Sequence, residues 1–164
     1  MEDRGLRMDG MSHLDDRGRA VMVDVSGKEP TRRMARACGY IDLGERAAAA
    51  VADSEVPKGD ALAAARIGAI QAVKRTWELI PLCHMVRIGS VSIEFQQDDT
   101  RLEVLCSVEG VDSTGFEMEA LLGVSTALLI VYDMTKSIDR GMEIGGIRLL
   151  EKSGGKSGEY RWQK

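Results

Sequence analysis

The sequence predicts an α+β domain in which helices pack on one face of a largely antiparallel sheet. Short alternating segments rich in β-branched residues indicate strands, and longer segments with apolar residues every three or four positions indicate helices. The predicted order is β-β-α-α-β-β-α-β, with hairpins and helix pairs in place of strict β-α alternation. A chain of 164 residues with no internal repeat and no long linker fits one domain with a substantial core.

The first half of the chain begins with two predicted strands, at residues 20–26 and 35–43. The alanine-rich segment "GERAAAAVADSEV" follows as a helix that Pro57 closes. Asp60 can cap a second and clearer helix, which Pro81 ends. The apolar face of this helix is predicted from residues that recur every three or four positions: Ile67, Ile70, Val73, Trp77 and Ile80.

The second half begins with a predicted hairpin, in which the polar turn "QQDDT" joins the strands "RIGSVSIEF" and "RLEVLCSVEGV". The segment "GFEMEALLGVSTALLIVYDMTKSIDRG" is predicted as one long helix closed by Gly141. A last strand, "IGGIRLLEKS", precedes the glycine-rich tail "GGKSGEYRWQK". We expect residues 1–12 to be a flexible extension and residues 13–164 to form the single domain.

Composition excludes several classes of function. The net charge is −4 and only 4% of residues are aromatic, so neither a basic surface nor a base-stacking surface indicates nucleic acid. The odd set Cys38, Cys83 and Cys106 contains no Cys-x-x-Cys and fits reduced thiols in the cytoplasm. The polar N-terminus is not typical of a signal peptide, and the apolar runs are expected to be too short to span a membrane.

Lys58 and His84 are the first candidate site residues. Lys58 precedes a predicted helix N-terminus, which attracts anions, but on pattern alone a solvated lysine in a capped loop is the more common interpretation. His84 follows a helix exit among apolar residues and could exchange protons in a pocket. A lone histidine is more often structural than metal-binding, and the adjacent Cys83 gives poor ligand geometry.

Further candidates lie around the long helix. Glu117, Met118 and Glu119 occupy its first turn, where acids complement the helix dipole or could bind a guanidine-like ring edge with methionine packed on the ring. In the tail, Lys152 and Lys156 could wrap a polyphosphate or belong to a disordered end. The tail is not a Walker A loop, because the first glycine of that motif is absent.

Asp133 and Lys136 form the remaining candidate pair, in the segment "YDMTKSIDR". Positions i and i+3 share one face of a helix, so these side chains lie together beside a strongly apolar surface. The pair fits a solvated helix end or an acid and a base held in a pocket.

Taken together, "PKGD", "ARIGAIQAVKRTWELIPLCH", "GFEMEA", "YDMTKSIDR" and "LLEKSGGKSGEY" resemble the cyclic pyranopterin monophosphate synthase family (molybdenum cofactor biosynthesis protein C). With "MVDVS" near the start, the resemblance covers about residues 12–160. In one departure, Met85 follows His84 where the family usually has proline, and losing that rigid residue is expected to loosen the loop.

The resemblance implies a ferredoxin-like fold and a homohexamer built as a trimer of dimers. It implies a phosphorus–oxygen lyase that converts 3′,8-cyclo-7,8-dihydro-GTP to cyclic pyranopterin monophosphate and releases pyrophosphate. A radical S-adenosylmethionine GTP cyclase upstream would supply that substrate. No cofactor is required by the sequence and no metal-ligand cluster is present in it, although Mg²⁺ can arrive with the triphosphate.

By motif match, Asp133 takes the catalytic position and Lys136 is its partner. The other matched positions are implied to contact the substrate: Leu82, Cys83, His84, Met118, Glu119, Glu117, Lys58 and Lys152. The alternative function is a non-catalytic purine-nucleotide-binding module on a ferredoxin-like scaffold, which has no use for an Asp133–Lys136 pair. A structural subunit that assembles with the upstream enzyme is a further alternative, and it predicts no nucleotide affinity.

Spacing alone leads to one more hypothesis. If the long helix is unbroken, Glu119 and Asp133 are about 21 Å apart along its axis, at about 1.5 Å per residue. A GTP-sized ligand hardly spans that distance while gripped at both ends. We therefore expect one site to combine segments of two subunits across a two-fold axis.

Overall fold

A computed structural model of the chain describes residue 15, residues 17–156 and residues 158–163. The extension expected at residues 1–12 lies outside these described residues. The elements, in chain order, are β1 (Thr31–Asp42), α1 (Glu45–Ala52), α2 (Ala61–Val73), α3 (Thr76–Leu79), β2 (Ile88–Asp98), β3 (Arg101–Asp112), α4 (Glu117–Thr135), β4 (Glu143–Ser153) and β5 (Tyr160–Arg161).

The five strands form one antiparallel sheet in the order β2-β3-β1-β4-β5. Helix α4 packs on β1, β3 and β4, and α2 packs on α4 and β2. Strands β1 to β4 with α2 and α4 give the β-α-β-β-α-β order of a ferredoxin-like fold. The α+β class and the predicted hairpin are therefore confirmed.

The core lies between β1 and α4, where strand and helix approach closely. Ala35, Ala37 and Ile41 alternate along β1 and are fully buried. At Gly39, between them, an added Cβ would lie 2.9 Å from Val124 and 3.0 Å from Leu128, so only glycine permits this approach. A side chain at position 39 would push the helix away from the sheet.

The single helix predicted to run from Asp60 to Pro81 is wrong, because a turn at residues 74–75 separates α2 from α3. The predicted apolar face is also wrong in part, since Ile67 is 69% and Trp77 is 44% exposed. The residues of α2 that are buried are mostly small: Ala61, Ala65, Ala69 and Val73. Small residues are needed because α4 lies very close, as the contact between Gly68 and Ile130 indicates.

Three other elements differ from the predictions. Residues 20–26 form no strand: apart from a bridge at Ala20 they are an irregular segment. Helix α4 ends at Thr135 and does not continue to Gly141. The tail turns back and adds the short strand β5 to the edge of β4.

Helix α4 corrects the expectation that every apolar run is too short to cross a membrane. It has 19 residues and a mean hydropathy of 1.4, and it is the one helix among the described residues that could do so by length and composition. Its place in the fold explains that composition, because it packs on three strands and carries eight buried residues, Glu119 among them.

Candidate active site

The predicted site residues fall into two groups at opposite ends of α4. Lys58, Asp133 and Lys136, here called the helix-end cluster, meet where α4 ends and α2 is about to begin. The second group lines a pocket beside the start of α4. Because α4 is continuous from Glu117 to Thr135, the predicted separation of about 21 Å between Glu119 and Asp133 holds.

In the helix-end cluster, one carboxylate binds two lysines. Lys58 Nζ donates to Oδ2 and to the main-chain oxygen of Asp133, both at 2.8 Å. Lys136 Nζ lies 2.6 Å from the other carboxylate oxygen, Oδ1. Lys136 reaches it because it follows α4 at its C-cap, three residues beyond Asp133. All three side chains remain 41–54% exposed and are open to a ligand.

The hydrogen bonds from Lys136 and Lys58 lower the pKa of Asp133 to about 2. Asp133 is therefore a carboxylate at neutral pH and has no proton to donate. It can fix the direction of two ammonium groups, which can donate hydrogen bonds or protons to a bound ligand. The expectation of an acid beside a base becomes more specific, because the ionised Asp133 holds two lysine ammonium groups in fixed directions.

The pocket has a volume of about 270 Å³ and gathers most of the other predicted residues. One wall is the segment after α3, and the opposite wall is the first turn of α4. The irregular segment near the N-terminus contributes a third side. The predicted residues among those that line the pocket are Leu82, Cys83, His84, Glu117, Met118 and Glu119. Met85, which stands where the family usually has proline, is 73% exposed and does not itself line the pocket.

Glu119 is the buried carboxyl of this pocket. Glu119 is only 3% exposed. Burial raises the pKa of its carboxyl to about 7, with smaller contributions from the charges of Glu117 and Asp112. It can therefore accept hydrogen bonds as a carboxylate or carry a proton within the physiological range. Burial, with the charge of Glu119, also raises the pKa of Cys83, so this residue is a neutral thiol.

This raised pKa leads to a prediction about stability. An acid that ionises less readily when folded destabilises the protein increasingly as pH rises from 4.5, its ordinary value, to about 7. Replacing Glu119 with glutamine removes that dependence. We expect the free energy of unfolding of the variant, relative to that of wild type, to increase by on the order of 3 kcal/mol between these pH values. Urea unfolding at pH 4.5 and pH 8 measures this increase, and Glu78→Gln, at an exposed position, is the control. A difference in unfolding free energy between Glu119→Gln and wild type that is equal at both pH values would contradict the prediction.

A larger, cationic pocket of about 730 Å³ adjoins the first and shares Lys28, Thr114, Gly115 and Glu117 with it. Its lining holds three basic residues, Lys28, Arg33 and Lys156, against two acidic ones, Glu29 and Glu117, so its net charge is positive. Arg33 donates through Nε to the oxygen of Asp112 at 2.9 Å and through Nη2 to that of Ser113 at 3.0 Å. It thereby holds the loop that leads into α4.

Of the cationic residues, the sequence indicated Lys156 but missed Lys28 and Arg33. Arg33 reaches this loop because β1 pairs with β3, with Arg33 opposite Gly110, and no short motif in the sequence reveals that register. Lys152 Nζ lies 3.4 Å from Glu117 Oε1 and so connects β4 to the first turn of α4. The structure therefore joins Lys152 to the pocket and leaves Lys58 with the helix-end cluster.

No group of three metal-ligating side chains is placed to hold an ion within the part of the chain that the structure describes. All three cysteines are free. The prediction that Mg²⁺ can accompany a triphosphate remains a prediction.

The sequence is similar to that of known proteins over most of its length. Residues 22–155 match the model of the MoaC family. The cyclic pyranopterin monophosphate synthase of Streptomyces avermitilis is 47% identical over 152 residues, which cover 93% of this chain and 89% of that protein. The protein of the same name from Pelotomaculum thermopropionicum is 45% identical over 155 residues, 93% of this chain and 91% of that protein. The chain that carries the two pockets and the helix-end cluster thus belongs to the MoaC family.

Proposed function

We propose that this protein converts 3′,8-cyclo-7,8-dihydro-GTP to cyclic pyranopterin monophosphate and releases pyrophosphate, a lyase reaction of molybdenum cofactor biosynthesis. One observation carries the proposal: relatives named for this activity match 93% of the chain at 45–47% identity. The matched region includes both ends of α4. Pyrophosphate release from enzymatically prepared substrate is the direct test.

The two adjoining pockets suggest which part of the substrate binds where. The pocket around Glu119 measures about 270 Å³, slightly below the roughly 300–1,000 Å³ of common ligand sites. It fits the ring system, whose N–H groups the Glu119 carboxylate can bind while Met118 packs on the ring face. The triphosphate would extend into the cationic pocket, where Arg33, Lys28 and Lys156 supply charge-assisted donors.

The proposed chemistry requires protons to move when a ring opens and re-forms and when the cyclic phosphate closes. Lys136 and Lys58 are the groups that we assign to those transfers at the helix-end cluster. Asp133 would act as the catalytic carboxylate that keeps both ammonium groups in place, because its lowered pKa holds it ionised. No step in this scheme needs a protein-bound cofactor, and Mg²⁺ can enter with the triphosphate.

We propose further that each site combines two subunits. Helices α2 and α4 run antiparallel, since Lys58 meets Asp133 while Val73 lies against Gly123 at the other end. On their outer faces, Ile67 and Leu129 are 69% and 61% exposed. Pairing of these apolar faces across a two-fold axis would bring the helix-end cluster of one subunit towards the pocket of the other.

Complementation between two inactive variants tests this sharing. Lys136→Ala damages the helix-end cluster and Glu119→Ala damages the pocket. In a mixed dimer, one shared site would carry both defects and the other none. Each mixed dimer should then show about one half of wild-type turnover, because one of its two sites is intact.

The measurement uses co-expressed subunits with different affinity tags, purified through both tags. Tagged pairs that carry Lys136→Ala on both subunits provide the control. Mixed oligomers without any recovered turnover would contradict the shared site and leave each subunit to work alone.

The wider setting of the enzyme is also a proposal. We assign it to the cytoplasm, as free thiols at all three cysteines support. We propose a homohexamer, a trimer of the dimers described above, and a radical S-adenosylmethionine GTP cyclase as the supplier of substrate. Light scattering tests the homohexamer, and turnover coupled to the purified cyclase tests the supplier of substrate.

A further inference from the structure

The irregular segment 21–28, here called the strap, covers one side of the pocket. Its residues alternate as in a strand, although it belongs to no sheet. Val23 and Val25 are half-buried and line the pocket, whereas Met22 and Asp24 are exposed. The strap therefore turns the apolar side chains of Val23 and Val25 to the pocket and those of Met22 and Asp24 to solvent.

The strap is fixed to both walls of the pocket. The oxygen of Val23 lies 2.7 Å from His84 Nε2, on the wall that follows α3. At the other end, the hydroxyl of Ser113 donates to the oxygen of Lys28 at 2.8 Å, and Ser113 belongs to the loop before α4. Between them, the Lys28 N–H donates to the oxygen of Val25 at 3.0 Å and closes a turn.

The contact with Val23 determines how the imidazole of His84 can react. A main-chain carbonyl only accepts hydrogen bonds, so the Nε2 atom facing it must carry a proton. In the neutral ring, the lone pair then belongs to Nδ1, which is the one nitrogen that can accept.

We propose that the strap is a positioning element for His84: the Val23 carbonyl holds the Nε2–H tautomer and makes Nδ1 a proton acceptor. This role in turnover rests on the function proposed above, whereas the tautomer itself does not. When a substrate N–H or O–H transfers its proton to Nδ1, the electron pair stays on the substrate atom and the ring becomes an imidazolium. The exposed carboxylate of Asp24, in the same strap, interacts favourably with that charge.

A solid-state ¹⁵N spectrum of histidine-labelled protein at pH 8 reads the tautomer directly. The chain has only two histidines, so a His13→Gln variant assigns the signals of His84. We expect a single tautomer, protonated at Nε2 and unprotonated at Nδ1. Protonation at Nδ1, or an exchanging mixture of the two tautomers, would overturn the proposal.

Loosening the strap tests its role in turnover. Ser113→Ala removes the tie at Lys28, and Ser92→Ala, which removes an exposed hydroxyl bonded to Glu94 on β2, is the matched control. We expect Ser113→Ala to mix the tautomers and to lower kcat about tenfold or more, as misplaced reacting groups do. Spectra and kcat equal to those of the control would overturn the role of the strap. If wild type shows no turnover, the proposed function fails and the wild-type spectrum still decides the tautomer.

Discussion

Lys136→Ala should reduce pyrophosphate release from 3′,8-cyclo-7,8-dihydro-GTP by roughly 10²–10⁴-fold, the usual contribution of a positioned proton-transfer group. The lysine holds Oδ1 of Asp133 at 2.6 Å and is still half exposed, so alanine removes a donor without disturbing the core. Steady-state pyrophosphate assays over a range of substrate concentrations measure the loss as kcat and KM separately.

Lys74→Ala provides the matched control, since Lys74 is an exposed lysine at the C-cap of α2 as Lys136 is at that of α4. We expect this control to keep wild-type turnover. Turnover by Lys136→Ala within a few-fold of wild type would move the essential lysine elsewhere, with Lys58 as the next to replace.

Asp133→Asn is expected to cause a loss of turnover of similar size while substrate binding is largely kept. Asparagine is nearly the same shape but lacks the charge that holds Lys58 and Lys136 together. The pocket around Glu119 and the cationic pocket are about 21 Å away along α4 in the same subunit and stay intact. Calorimetric titration with substrate, beside the turnover assay, separates the two effects.

Asp42→Asn is the control for this variant, because Asp42 also forms an ion pair with a basic residue, Arg101, in a structural position. The comparison also distinguishes the alternatives. A nucleotide-binding module would bind substrate in wild type and variant without turnover in either. A purely structural subunit would not bind it at all. Loss of binding by Asp133→Asn would instead make the carboxylate a ligand-holding group.

The parts of the fold that sequence predicted well are those that local chemistry determines. Asp60 caps α2 through a side-chain bond to the Ala63 N–H, as its position before an apolar helix indicated. The β2–β3 hairpin follows from alternation on both sides of a polar turn. Such features need no knowledge of distant neighbours.

The errors come from contacts between distant segments. Residues 20–26 alternate as a strand does, but the sheet offers them no partner, and they cross a pocket instead. In α2, the large residue Ile67 is exposed and small alanines are buried, because α4 approaches too closely for anything larger. Periodicity identifies the helix but not which of two apolar stripes faces the core.

The same division applies to the candidate site. Asp133 and Lys136 are i, i+3 neighbours, so their contact follows from the sequence. The contact of Lys58 with Asp133, and the place of Arg33 beside the loop before α4, depend on tertiary packing and on strand register. The separation between the two ends of α4 was predictable because it depends only on helix rise.

The most direct test of the whole account is pyrophosphate release by the purified wild-type protein from enzymatically prepared 3′,8-cyclo-7,8-dihydro-GTP. The product is identified by mass as cyclic pyranopterin monophosphate. We expect equal amounts of pyrophosphate and cyclic product, with no added redox cofactor. Substrate that binds but remains unchanged, in wild type and after Met85→Pro, would contradict the synthase and favour a nucleotide-binding module.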